Sequence, residues 1–329
     1  MNDSRDLRLA DVSEEEVLEH IFPLLRADHG PSAATGVLVG PGDDTAWLAA
    51  PDGRFLATTD AVVLGHDWLD AWSTGADVGH KAVMQNCADI AAMGGVTTGL
   101  LVTLAAHAGT SMAWVTDLAR GIGEAAREAR TSVVGGDLSG ADDGTVMVSI
   151  TAFGTTEGRD PVLRSGARPG DVVAVAGGLG RSGAGWALLR TGRGEIAPDL
   201  VAIHRRPAPP LSEGPGAARA GAHAMIDLSD GLVRDAGRVA RASGVVIDLD
   251  PAALAPHVDA LTSAVGAEEA LTCVLTGGEE HSLLATFAEA PDGWHVLGTV
   301  GPVDELGAGV RVGGEPRRGG GWDHFDTSR

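Results

Sequence analysis

The stretch from Gly40 to Asp60 constrains this chain most; it reads G-P-G-D-D-T-A-W-L-A-A-P-D-G-R-F-L-A-T-T-D. Two short apolar runs, Ala46 to Ala49 and Phe55 to Ala57, flank Pro51-Asp52-Gly53. Proline presets φ and glycine accepts φ > 0, so the triplet is a turn signal and the segment is expected to form a hairpin. A hairpin would set Asp43 and Asp44 beside Thr58, Thr59 and Asp60. Carboxylates and hydroxyls at one end of a sheet are hard oxygen ligands, suited to Mg²⁺ rather than zinc. Ordinary solvated strand ends carry the same residue types, so this stretch alone leaves both readings open.

More acidic loops follow. A helix is predicted from about Asp77 to Met93, with Lys81, Gln85 and Asp89 at i, i+4 and i+8 and Asn86 three residues before Asp89. The solvent side is the ordinary place for Lys81 and Gln85, whereas Asp89 lies in an alanine-rich, packed-looking segment. A strand over Leu100 to Leu104, a helix from about Ser111 to Arg130 and a short strand over Ser132 to Val134 lead to Gly135-Gly136-Asp137, a carboxylate directly after a strand. Thr145 to Phe153 reads as a long strand. The polar run Thr155 to Arg168 suits a domain junction. Near the N-terminus, Ser13-Glu14-Glu15-Glu16 is a capping-box pattern ahead of a short amphipathic helix.

In the second half, the strand Val172 to Ala176 runs into Gly178-Leu-Gly180-Arg-Ser-Gly183. This matches G-x-G-x-x-G, but the acidic residue that ends the next strand in dinucleotide-binding units is missing. Glycines for a tight turn and close packing explain the run as well. His204 to Pro215 reads as a solvated basic loop. Ala224-Met225-Ile226 forms a strand into Asp227-Leu228-Ser229-Asp230-Gly231, followed by a helix from Leu232 to Ser243. One helix cap needs only one such residue, so this loop holds more acceptors than capping requires. Val245 to Leu249, Thr272 to Leu275, Ser282 to Phe287 and Trp294 to Val300 read as strands, with Gly277-Gly278-Glu279-Glu280 between two of them.

With 329 residues and 44% hydrophobic content, the chain can bury two cores, and two domains are expected, 1–155 and 156–329. The net charge of −21 argues against nonspecific nucleic-acid or anionic-membrane binding. Any phosphates handled here must be screened by cations. Cys87 and Cys273 have no C-x-x-C spacing, so neither disulfide framework nor zinc site is indicated. The polar first residues and the lack of a long apolar run predict no signal peptide and no membrane span, and a cytoplasmic location.

Taken in order, G-P-G-D-D, T-T-D, N-C-A-D-I-A-A-M-G, G-G-D, R-S-G-A-R-P-G-D, A-M-I-D-L-S-D-G-L, G-G-E-E and G-W-D-H-F resemble the thiamine-monophosphate kinases from about Gly40 to Phe325. That family is grouped with aminoimidazole ribonucleotide synthetase and selenophosphate synthetase. The resemblance implies a two-domain α/β (α+β) fold of the aminoimidazole ribonucleotide synthetase kind, with mixed sheets covered by helices. It implies an N-terminal domain that binds ATP and Mg²⁺ and pairs into a homodimer, and a C-terminal domain that completes the active site. No G-x-x-x-x-G-K-[ST] occurs, so several Mg²⁺ ions must take the place of the usual phosphate cradle. By resemblance, Asp44, Thr58, Thr59, Asp60, Asp89, Asp137, Asp227 and Asp230 would hold these ions, with Asp44, Asp89, Asp137 and Asp230 central to catalysis. Gly136, Asp137, Arg164 and Ser229 would contact ATP, the co-substrate. The implied reaction is in-line transfer of the γ-phosphoryl group of ATP to thiamine monophosphate, giving thiamine diphosphate.

The departures fall on the acceptor side. Where the family commonly has Gly-x-His-aromatic, this chain has Gly65-His66-Asp67-Trp68, with Asp67 at the histidine's place. The usual G-G-E-D is G-G-E-E, which keeps Glu279 and changes its neighbour to Glu280. Trp322 matches an aromatic that covers the substrate ring in relatives. His66, Asp67, Glu279 and Trp322 are therefore the acceptor-side candidates. The alternatives are an ATP-dependent kinase of the same fold with another small acceptor, an idle sensor of nucleotides or thiamine phosphates, and a nicotinamide oxidoreductase.

Overall fold

The computed structural model describes residues 7–25, 37–39, 47–50, 52–317 and 320–321. The chain divides into two units, Met1–Ile90 with Val96–Gly158, and Ala91–Gly95 with Arg159–Arg329.

The N-terminal unit begins with α1 (Glu14–Leu25), whose capping box forms as the sequence predicts. The Ser13 N–H donates to Glu16 Oε2 over 2.8 Å, and the Glu16 N–H returns a bond to Ser13 Oγ. The strands β1 (Val37–Val39) and β2 (Trp47–Leu48) pair antiparallel with each other. β3 (Leu56–Val63), α2 (Gly75–Ala92), β4 (Val96–His107), α3 (Met112–Glu128), β5 (Val133–Ala141) and β6 (Val146–Thr155) follow. Their four-stranded sheet has the order β3-β6-β4-β5, with β4 and β5 parallel and the other pairs antiparallel.

This pairing overturns the expected hairpin. β2 bonds to β1, and β3 bonds along its whole length to β6, from Leu56 opposite Gly154 to Val63 opposite Met147. The turn residues do what their chemistry allows, since Gly53 has φ +72 and its N–H bonds the Ala50 carbonyl. A local turn does not decide which strand is bonded; the long alternating strand β6 offers β3 eight partners. Along β6 every second residue, Val146, Val148, Ile150 and Ala152, is buried, while Met147, Ser149, Thr151 and Phe153 are half-buried. One face of the sheet is thus packed and the other only partly covered.

The C-terminal unit contains β7 (Val172–Ala176), α4 (Arg181–Arg190), α5 (Pro198–Arg205), α6 (Glu213–Arg219), β8 (Ala224–Asp227), α7 (Leu232–Ser243) and β9 (Val245–Leu249). α8 (Pro251–Val265), α9 (Ala267–Thr276), β10 (Leu283–Phe287), β11 (His295–Pro302), β12 (Gly309–Val312) and β13 (Glu315–Arg317) complete it. The seven-stranded mixed sheet runs β13-β12-β9-β11-β7-β10-β8. Val173 and Val175 of β7 enter one apolar cluster with Leu188, Leu232 and Leu261, while Ala174 and Ala176 enter another with Met225 and Phe287. Burial on both faces explains why β7 and β10 read as continuous apolar runs.

Three expectations fail here. Thr272 to Leu275 is the last part of α9, because Glu268 and Glu269 at its first turn and apolar spacing through Ala270 and Val274 favour a helix. The supposed basic loop from His204 contains the end of α5 and the start of α6, and His204 itself is buried. Lys81 is 4% exposed, so the polar stripe of α2 is not its solvent side.

Candidate functional site

In the N-terminal unit two of the acidic motifs meet. Thr58 on β3 donates from Oγ1 to Asp89 Oδ2 over 2.8 Å. β3 is an edge strand, and the N–H of Asp60 donates to Asn86 Oδ1 at 3.0 Å. Asn86 is fully buried and donates its own Nδ2–H to the Ala82 carbonyl one turn earlier. It therefore supplies the acceptor that a neighbouring strand would give and ties β3 to α2.

Thr59 and Asp137 do not join that group. Thr59 lies opposite Thr151, whose hydroxyl is 3.1 Å away, on the partly covered sheet face. Asp137 lies opposite Thr103, and Thr103 opposite Ser149, so it shares that face. Thr58 lies opposite Ala152 on the packed face. Asp137 is exposed and accepts a 2.6 Å bond from Ser139 Oγ. It sits within β5, not after it, because β5 continues to Ala141 alongside β4. At Gly136 a Cβ would lie 2.0 Å from the Val102 carbonyl, so strand packing alone already requires this glycine. Asp44 lies outside the described residues.

The loop Gly65-His66-Asp67-Trp68 closes on itself. Asp67 Oδ2 accepts the Val63 N–H over 2.8 Å, and the Asp67 and His66 N–H groups both bond the Val63 carbonyl. The carboxylate at the family histidine's place thus holds its own turn, while His66 is exposed.

In the C-terminal unit, two motifs some fifty residues apart run side by side. The Glu279 N–H donates to the Ser229 carbonyl, the His281 N–H to the Leu228 carbonyl and the Leu228 N–H to the Ser282 carbonyl. A Cβ on Gly278 would lie 2.1 Å from the Ser229 carbonyl, which explains the second glycine of G-G-E-E. Glu279 and His281 both adopt left-handed φ, +62° and +54°. Non-glycine residues hold that conformation only where their surroundings fix it. His281 Nδ1 lies 3.0 Å from Asp227 Oδ2, both buried. Ser229 is half-buried and Arg164 exposed, its carbonyl bonded by Ser243 Oγ.

Asp230 is held by charge. Arg238 bonds its Oδ2, and the Arg234 Nε lies 3.7 Å from it. Arg238 also reaches Asp235 Oδ1 at 2.6 Å, and Asp235 Oδ2 accepts the N–H groups of Asp230 and Gly231 at 2.9 and 3.0 Å. Burial pushes the Asp235 carboxyl up to about 7, against the pull of those N–H bonds and of Arg238. Sequence reasoning missed this pair, although their i, i+3 spacing just after D-L-S-D-G was its signal.

A cavity of about 240 Å³ adjoins the G-G-E-E loop, with Trp186, Arg190, His204, Glu269, Cys273, Glu279 and Gly321 among its lining residues. Burial drives the Cys273 thiol up to about 12, away from the thiolate form that reacts. Trp322, next to Gly321, lies outside the described residues. Glu280 does not line this cavity. It is buried at the start of α4, where its carboxylate takes backbone bonds from Arg181, Gly180 and Ser182. The N–H groups that hold a pyrophosphate in dinucleotide-binding units are therefore already occupied by a carboxylate. The glycines of this run serve packing: a Cβ on Gly180 would come within 2.7 Å of the Cys273–Val274 backbone.

Among the described residues no three His, Cys, Asp or Glu side chains gather closely enough to cage a metal. The candidate donors are nevertheless all oxygen, carboxylates and hydroxyls, and this fits Mg²⁺. That ion is usually held by one or two carboxylates together with substrate phosphates and water, not by an all-protein cage.

Residues 42–156 match the family described as AIR synthase related protein, N-terminal domain, and residues 168–311 match AIR synthase related protein, C-terminal domain. A thiamine-monophosphate kinase of Mycobacterium tuberculosis is 46% identical over 295 residues, 88% of this chain and 86% of that protein. The crystal structure of thiamine monophosphate kinase from Aquifex aeolicus has a TM-score of 0.73 and 30% identity over 84% of this chain and 92% of its own. A structure described as AaThiL complexed with AMPPCP and TMP has a TM-score of 0.76 and 29% identity, covering 97% of this chain and 99% of its own. The family domains on both halves, the near full-length identity and the shared fold place this chain in the thiamine-monophosphate kinase family.

Proposed function

We propose that this protein transfers the γ-phosphoryl group of ATP to thiamine monophosphate, forming thiamine diphosphate and ADP. The observation that carries the reading is the cavity beside Glu279, in a chain 46% identical to a thiamine-monophosphate kinase. The carboxylates of Glu269 and Glu279 suit a heteroaromatic cation by charge, while the Trp186 indole already carries the Arg190 guanidinium 4.4 Å from its ring centroid. A nicotinamide cofactor is disfavoured because Glu280 occupies the α4 N-terminus.

The acceptor phosphate is itself the nucleophile. A phosphate monoester is largely dianionic near neutral pH, so no strong general base is needed. One of its oxygens forms a bond to the γ-phosphorus as the bond to the β,γ-bridging oxygen of ATP breaks, and ADP leaves. Mg²⁺, when bound, neutralises charge on the phosphates and on the leaving ADP. In the N-terminal unit Asp44, Thr58, Thr59, Asp60, Asp89 and Asp137 would hold several such ions, with Thr58 and Asp89 joined on one sheet face and Thr59 and Asp137 on the other, and in the C-terminal unit Asp227 and Asp230 would do so. Gly136, Asp137, Arg164 and Ser229 contact ATP in this reading, Arg164 with its guanidinium. Glu279, Trp322 and His66 serve the acceptor, while Asp67 shapes the loop that carries His66.

The N-terminal unit, about 1–155, binds ATP with its metal ions and pairs with a second copy, and the C-terminal unit, 156–329, presents the acceptor cavity. Support for pairing comes from the partly covered sheet face with Leu101, Met147 and Phe153, and from Phe55, which is 65% exposed. Among the described residues no helix is long and apolar enough to cross a membrane, and a cytoplasmic location is part of this reading. The experiment is a substrate panel: purified protein with ATP and Mg²⁺ should convert thiamine monophosphate to thiamine diphosphate faster than it phosphorylates any other small acceptor.

A further inference from the structure

Three polar side chains meet at one wall of the cavity. Ser182 stands on the first turn of α4, His204 on the last turn of α5, and Glu279 on the loop before β10. His204 is 5% exposed. Its Nδ1 lies 3.1 Å from Ser182 Oγ and 3.4 Å from Glu279 Oε2. The helices leave the ring little choice of position: a Cβ on Gly185 of α4 would lie 2.2 Å from the Leu200 carbonyl and 3.0 Å from the His204 Cβ. Glu279 has the opposite character, with a backbone at φ +62 and a side chain 36% exposed. An unrestrained glutamate there would sample several rotamers and lose that freedom on meeting a ligand.

We propose that His204 is a positioning residue for the acceptor. With its hydrogen on Nδ1, the buried ring shares that one donor between Ser182 Oγ, the shorter contact, and Glu279 Oε2, so the carboxylate is held close to one rotamer before the heteroaromatic cation arrives. The inference rests on the cavity being the acceptor site. It assigns no contact with ATP to His204, which is buried between α4, α5 and the loop that carries Glu279.

The test compares His204→Leu, His204→Asn and Glu279→Gln, plus the double variant His204→Leu/Glu279→Gln, by steady-state kinetics with Mg²⁺ and both substrates varied. An asparagine amide can place an N–H where the imidazole Nδ1–H stood; a leucine side chain fills the space without it. His204→Leu is expected to raise KM for thiamine monophosphate about tenfold and to leave KM for ATP within about twofold. His204→Asn should recover most of the loss. In the Glu279→Gln background, His204→Leu should add little, because the two residues act as one unit. Thermal unfolding checks that the variants fold, and equilibrium binding of thiamine monophosphate to His204→Asn gives a readout if the leucine variant does not. An acceptor KM unchanged in His204→Leu, equal rises in both KM values, or fully additive losses would overturn the inference and leave the kinase reading intact. A wild-type protein that fails to phosphorylate thiamine monophosphate would overturn the kinase reading, and this inference with it.

Discussion

The Thr58 hydroxyl on β3 donates to Asp89 Oδ2 on α2 across 2.8 Å, joining two acidic motifs 31 residues apart. The bond fixes the orientation of a carboxylate that would otherwise be a mobile side chain on a helix face. A carboxylate held this way is pre-set for a cation, because less rotamer freedom is lost when the cation binds.

Asp44→Asn, Asp89→Asn and Asp230→Asn are each expected to lower kcat about a hundredfold or more, since each removes a metal-ligand charge where phosphate charge must be neutralised. Folding should survive in Asp230→Asn, because Arg238 keeps its bond to Asp235. Steady-state rates with saturating Mg²⁺ and a urea unfolding curve check both halves. Wild-type turnover in all three variants would remove the metal assignment.

Glu280 gives a pH signature. Burial pushes its carboxyl up to about 7, outweighing the backbone bonds of Arg181, Gly180 and Ser182 and the charge of Arg181. Between the ordinary value of 4.5 and about 7, the folded chain keeps a proton that the unfolded chain has released. The stabilising contribution of that proton is fully present below this window and is lost as pH rises through it, a change on the order of 3 kcal/mol. Glu280→Gln has no such proton to lose. Urea unfolding at pH 5 and pH 8 should therefore show the variant gaining on the wild type by a few kcal/mol. A constant difference at both pH values would contradict the burial argument.

The helices α1, α2, α3 and α7 and the strands β7 to β11 were legible in the sequence because their signals are local, whereas α5, α6, α8 and α9 were not legible as helices. Leu232–Ser243 and Val245–Leu249 form with the bounds their patterning gives. β3 was misassigned because partner choice is non-local: a Pro-Asp-Gly turn announces a reversal of the chain but does not name the strand bonded after it. Lys81 and His204 were read as solvated because charge is an average signal, and it fails where packed elements enclose a polar group with partners. The loops D-L-S-D-G and G-G-E-E stood out as chemistry-bearing, yet their clasp through Ser229 and Glu279 has no trace in either motif alone. Asp235 was hidden for the reverse reason, since it looks like any helix-surface acid until its bonds to Asp230 and Gly231 are seen.

Asp67→Ala should cost about 1 kcal/mol of stability, the usual effect of losing a side-chain acceptor for a backbone N–H at a turn or cap. Thermal or urea unfolding reads this directly. If stability stayed constant while the acceptor KM rose sharply, the carboxylate would be serving the acceptor instead of the Val63 N–H.

Phe153→Glu places a charge on the partly covered sheet face, 6.1 Å from the Phe55 ring in the native packing. If two copies pair through this face, sedimentation should show a dimer for the wild type at micromolar concentration and a monomer for the variant. A wild-type protein that sediments as a monomer would exclude the pairing.

The central claim is the identity of the phosphoryl acceptor, and product analysis with equal concentrations of competing acceptors tests it most directly. Purified protein, ATP and Mg²⁺ would be incubated with thiamine monophosphate, free thiamine and unrelated phosphate monoesters, and the products separated and quantified. Thiamine diphosphate and ADP are expected in equal amounts, with a kcat/KM for thiamine monophosphate at least about a hundredfold above that for any competitor. ATP consumed without thiamine diphosphate, or another acceptor phosphorylated more efficiently, would contradict the assignment.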